Sequence, residues 1–250
     1  MALLVQFLLR LTFGLALGML VTSSKQVTSG YFRNHLYVTL GLSALAALLA
    51  HSVELSSFWY AVVAAAISYV ASVMWLYEKH QAGKALLGVV SFAGLAGAFT
   101  ANQPASSVLG PAGLMRDVVP AVSGLLLGVT MAAMLLGHWY LNAPGMKLEP
   151  LQLLIRLMGI SVALQLAMST VGVYGEITTV EQVSTQWILF VALRWTFGII
   201  GVAVMTWMAW QTLKIPNTQS ATGILYVAVI GTFVGETMAL LLSTESMFPL

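Results

Sequence analysis

Residues 2–22 read ALLVQFLLRLTFGLALGMLVT, and one ionisable side chain, Arg10, interrupts the apolar run. About 18 apolar residues are enough to cross the roughly 30 Å hydrocarbon core of a bilayer as a helix rising about 1.5 Å per residue. The stretch has no basic residue ahead of it and carries its Arg inside the run, so it reads as a retained span rather than a cleaved secretory leader.

Runs of the same kind follow at 35–53, 58–77, 84–101, 119–140, 151–173, 185–210 and 221–243. The expected fold is therefore all-α: a polytopic integral membrane protein with about eight transmembrane helices in one bundle. Composition agrees, since 59% of residues are hydrophobic and only 7% charged, against about a quarter charged in a soluble domain. The apolar runs are continuous rather than alternating, which selects helices over a barrel.

The connections are short, leaving no room for a soluble catalytic module. The stretch NQPASSVLGPAGLMRDVVP holds Pro104, Pro111 and Pro120 and divides the single transmembrane domain into halves 1–101 and 119–250, joined by a Pro/Gly loop at 102–118. The other prolines, Pro144, Pro150, Pro216 and Pro249, fall in loops or near the end, so with Pro120, at the very start of the fifth run, counted to the loop, every span reads as proline-free. Gly14 with Gly18, Gly124 with Gly128, and Gly231 with Gly235 lie one helical turn apart. Such pairs serve either a dimer seam or close packing inside one bundle.

Lys25, Arg33, Lys79, Lys84, Lys147 and Lys214 fall on one side of an eight-span chain, and Arg116 on the other. The basic side is cytoplasmic by the positive-inside bias, which places both termini outside a bacterial inner membrane. Glu54, Asp117, Glu176, Glu181 and Glu245 make the outer side mildly acidic. The net charge of +2 is mostly this topogenic signal, and it implies lipid rather than nucleic-acid contact.

An ionised side chain at membrane depth is costly unless paired or hydrated, and so marks a site. Arg10 lies about eight residues into span 1 and Arg194 about nine into span 7, both entering from the outer side; Glu236 lies about seven residues from the outer end of span 8. All three share one layer, roughly 10–12 Å deep. The two arginines open matching motifs, RLTFG at 10–14 and RWTFG at 194–198, from either a duplication or a shared packing demand. Gln6 is one turn before Arg10 and within reach of it, and His51 borders the layer from span 2. One positive charge remains over. It serves a structural ion-pair network or binds an anionic or carbonyl-bearing ligand such as a lipid phosphate, a haem propionate or a quinone oxygen.

A second constellation, His138, Trp139, Tyr140 and Asn142 with Arg156, closes span 5 and opens span 6 on the cytoplasmic side. It forms either an interfacial anchor or a headgroup or quinone pocket. Cysteine is absent, which excludes disulfides, thiol redox chemistry and iron–sulfur ligation in this chain. The histidines offer no pair at one depth for a bis-His haem and no metal-ligand spacing, and the Met and Trp residues near 205–210 read as lipid-facing packing.

These features point to a non-catalytic subunit of a respiratory or photosynthetic electron-transfer complex. It would anchor other subunits among membrane lipids, bind no cofactor of its own and contribute to a quinone or lipid site. The alternative is a small-solute or anion transporter with Arg10, Arg194 and Glu236 lining the path.

Overall fold

The computed structural model describes residues 1–101, 111–143, 145–180, 182–215 and 217–249. Every regular element in them is helical: α1 (Ala2–Val21), α2 (Ser29–Ser52), α3 (Phe58–Leu76), α4 (His80–Ala101), α5 (Pro111–Asn142), α6 (Glu149–Thr179), α7 (Thr185–Leu193), a π-helical stretch (Arg194–Gly201), α8 (Val202–Thr212) and α9 (Thr218–Leu242). The segments from α7 to α8 run on as one span, Thr185–Thr212, giving eight helices long and apolar enough to cross a membrane.

Helix ends follow local chemistry. Thr22 is extended and returns its hydroxyl to the Gly18 carbonyl, 2.7 Å away, at the end of α1. Ser184 and Asn217 accept from the backbone N–H groups of Trp187 and Ser220, 3.0 Å each, and start α7 and α9. Each bond satisfies a polar group that a helix terminus would otherwise leave bare.

Two sequence expectations need correction. Part of the connection expected at 102–118 is helix, because α5 begins at Pro111. Proline is tolerated there, where its missing N–H has no intrahelical acceptor to lose. Pro120 then lies inside α5, and Pro150 in the first turn of α6, so the long helices are not free of proline. Residues 102–110, with Pro104, lie outside the described residues, as do Pro144, Glu181 and Pro216.

α1 is the axial helix. Its apolar window is 72% buried, against 22% for the Thr185–Thr212 span, and it packs on α2, α4 and α5 and touches α9. Gly14 and Gly18 face α5, and a Cβ on Gly14 would overlap the Gly124 carbonyl while one on Gly128 would overlap Gly14. Small residues let backbones approach this closely and gain dispersion contacts that bulkier pairs cannot make. The same device joins the π stretch to α9, where Gly198 meets Gly235 and Gly231 meets Phe197. Both pairings lie within one chain, so these glycines are occupied by the bundle itself.

The two ends of the bundle differ in chemistry. At the end carrying Lys25, Lys79, Lys147 and Lys214, the Trp139 indole donates to Thr28 Oγ1 at 2.9 Å and Lys84 to the Leu20 carbonyl at 3.2 Å. At the opposite end, the segment after α9 folds back over the helices. Met247 and Phe248 donate their backbone N–H groups to the Glu176 carboxylate at 3.3 and 3.0 Å. Trp187 donates to Ser246 Oγ at 2.9 Å, Arg116 reaches the Met247 carbonyl at 3.4 Å, and the Phe248 ring covers Gly175.

Candidate functional site: a buried charge layer

Arg10 is 2% exposed, Arg194 3% and Glu236 5%, which places all three inside the bundle rather than against its apolar surface. The Arg10 guanidinium donates through Nη1 to Glu236 Oε1 at 2.6 Å and to Ser123 Oγ at 3.1 Å, and through Nη2 to Gln6 Oε1 at 3.1 Å. Gln6 passes the chain on, its Nε2 donating to the Ala101 carbonyl at 2.9 Å. One arginine thus ties α1, α5 and α9 together, and Gln6 adds the end of α4.

Arg194 is held differently. Its Nη1 donates to the Gly235 carbonyl at 3.2 Å, and its Nε, like that of Arg10, has no hydrogen-bond partner among the described residues. The carboxylate next along α9 is already engaged by Arg10. The layer therefore holds one charge-neutral pair and one guanidinium bonded only to a neutral carbonyl.

The two RxTFG motifs share a logic in Arg and Gly. In each, the glycine four residues on permits a backbone crossing, Gly14 on α5 and Gly198 on α9, and the arginine reaches that same neighbour one turn away. The intervening residues part company. Thr12 is buried 3.5 Å from Ser43 Oγ, whereas Thr196 turns back to its own Ala192 carbonyl at 2.7 Å. Phe13 is 7% exposed and Phe197 54%.

Beside Arg194 is a cavity of about 10 Å³, lined among others by Ser123, Gln165, Thr232 and Glu236. That is the scale of a single water. Gln165 is 6% exposed, and its side-chain amide makes no hydrogen bond to any described residue. Neither Gln165 nor Ser123 was singled out from sequence. A glutamine about four turns into an apolar helix was the available signal, since its amide must find a partner at that depth.

His51 stands apart from the layer. It is exposed, its ring 5.3 Å from that of Phe58, in a shallow recess shared with Glu54 and Trp59. The constellation at the basic end spreads over separate neighbours rather than enclosing one pocket. His138 pairs with the Tyr226 hydroxyl at 3.2 Å, Trp139 leans on Tyr31 and His35, and the Tyr140 hydroxyl donates to the Lys147 carbonyl. Asn142 donates to the His138 carbonyl at 3.4 Å, and Arg156 lies over the Trp210 ring, 5.2 Å from its centre. Arg156 and Trp210 instead edge a groove of about 300 Å³ with Trp207, Gly159 and Thr206.

Among the described residues, no group of three or more His, Asp or Glu is placed to hold a metal ion. Comparison with protein-family models, curated proteins and solved structures finds no match to this chain.

Proposed function

We propose that this chain is an integral protein of a bacterial inner membrane, with both ends on the non-cytoplasmic side, and that it serves as a non-catalytic subunit anchoring partner chains. The observation that carries this reading is how Arg10 is used. Its guanidinium binds Glu236, Ser123 and Gln6, three side chains of the bundle itself, so this polar layer supports helix register more than it presents groups to a substrate. What remains for a partner is the outer surface. The Thr185–Thr212 span is the least buried, with Phe197, Ile200 and Trp207 more than half exposed.

The assembly we assign is a respiratory or photosynthetic electron-transfer complex, in which the groove between Arg156, Trp207 and Trp210 takes a quinone or lipid headgroup. A guanidinium beside indole rings suits a carbonyl or phosphate oxygen attached to an apolar body. Native mass spectrometry after mild solubilisation tests the partner assignment: co-purifying subunits support it, and a lone homogeneous chain in every detergent sinks it. Solvent extraction tests the groove, since stoichiometric quinone should be present and should disappear in Arg156→Ala.

A second reading, a small-anion transporter, draws on the unpartnered Nε of Arg194 and on Gln165, both beside the cavity. Uptake into proteoliposomes that vanishes in Arg194→Gln would place it first.

A further inference from the structure

The pairing pattern leaves a specific deficit. Arg10 and Glu236 pair at 2.6 Å, and although the Glu236 charge also acts on Arg194, the layer as a whole keeps one positive charge in excess, with Arg194 at 3% exposure. Burying a cation against one neutral carbonyl is expensive, and the usual remedy is a counter-charge with hydrogen-bond geometry.

The cavity beside it is rich in donors. Arg194 has an unpartnered Nε–H. Gln165 brings an unbonded amide, and Ser123, which accepts from Arg10, keeps its own proton to give. Thr232 has spent its hydroxyl proton on the Val229 carbonyl at 2.8 Å. Glu236 also borders the space, its charge engaged by Arg10 at 2.6 Å, so a negative occupant must be held by Arg194 and Gln165 against the repulsion of that carboxylate. At about 10 Å³ the space is on the scale of one water, so a single halide, somewhat larger than a water, enters only as the lining gives slightly, and a phosphate, a carboxylate or a quinone ring is too large.

We propose that Arg194 and Gln165 hold a single halide ion, such as chloride, in the cavity between α5, α6, the π-helical stretch and α9. The π-helical stretch begins at Arg194 itself, and such distortions recur at ligand sites because they re-aim side chains that a regular helix would direct elsewhere. The ion neutralises the layer and ties the Thr185–Thr212 span to α6, whether the chain is a subunit of a larger assembly or a transporter.

Thermal unfolding of the purified full chain, in sodium chloride, sodium bromide or sodium gluconate at constant ionic strength, tests this. Chloride and bromide should raise Tm saturably, by about 3–6 °C at ten times the half-saturating concentration. Gluconate, too large to enter, should not. Gln165→Leu should weaken the halide effect about tenfold in concentration, as expected for losing one hydrogen bond to a charged group, and Arg194→Gln should abolish it. Should Arg194→Gln fail to fold, crystals of the unaltered protein grown in bromide should show an anomalous peak between Arg194 and Gln165. Equal Tm in chloride and gluconate, or a bromide crystal without that peak, would mean that a water fills the cavity and would overturn the proposal.

Discussion

Replacing Glu236 by Gln keeps the shape of the side chain and removes its charge. The variant leaves Arg10 its bonds to Ser123 and Gln6 at 3.1 Å and a neutral oxygen in place of the carboxylate at 2.6 Å. Two guanidiniums then share the layer with no counter-charge from the chain. Breaking a buried pair by removing one partner costs about 3–5 kcal/mol. For a chain of this size that corresponds to a fall in Tm of about 6–20 °C, readable by tryptophan fluorescence in detergent. Glu245→Gln is the control, because Glu245 is exposed and its loss should change stability by no more than about 0.5 kcal/mol. The double variant Arg10→Gln with Glu236→Gln should recover part of the loss, giving a coupling within the 0.5–3 kcal/mol or so measured for directly interacting residues. If Glu236→Gln unfolds within about 2 °C of the Glu245→Gln control, the carboxylate does not hold the layer together and the reasoning fails.

Gly14→Ala should destabilise by at least about 1–3 kcal/mol, the range for an overpacked core, because its Cβ would overlap α5. Gly41→Ala and Gly159→Ala, where nothing lies within 4 Å of the added carbon, should be neutral or mildly stabilising by the same thermal assay. Glu176→Gln should loosen the segment over the end of the bundle, seen as faster amide hydrogen exchange at Met247 and Phe248, with a loss of only about 1–3 kcal/mol; unchanged exchange would refute the clasp. Because the chain has no cysteine, single substitutions report orientation cleanly. Thr244→Cys should react with a membrane-impermeant maleimide in intact cells and Gln219→Cys only after permeabilisation, and the reverse pattern would invert the proposed topology.

The sequence by itself determined the number and character of the helices, because a run of apolar residues of bilayer length has one satisfactory backbone solution and each such run announces itself locally. It also determined that Arg10, Arg194 and Glu236 fall in one layer, since helical rise converts position into depth. It misplaced the start of α5, where proline was read as a breaker although it also suits a first helical turn, and it placed His51 beside a layer that its exposed position does not reach. Which arginine takes the carboxylate was not legible. Arg10 and Arg194 carry the same motif at nearly the same depth, and only the crossings Gly14 on Gly124 and Gly198 on Gly235 decide that the first faces Glu236 and the second the carbonyl before it. The place of Gln165 in the wall of the small cavity and the grip of Glu176 on Met247 and Phe248 were decided by tertiary structure for the same reason. A side chain's depth follows from its own helix, but its partner depends on how neighbouring helices rotate and cross, and that is set by packing distributed over the whole bundle.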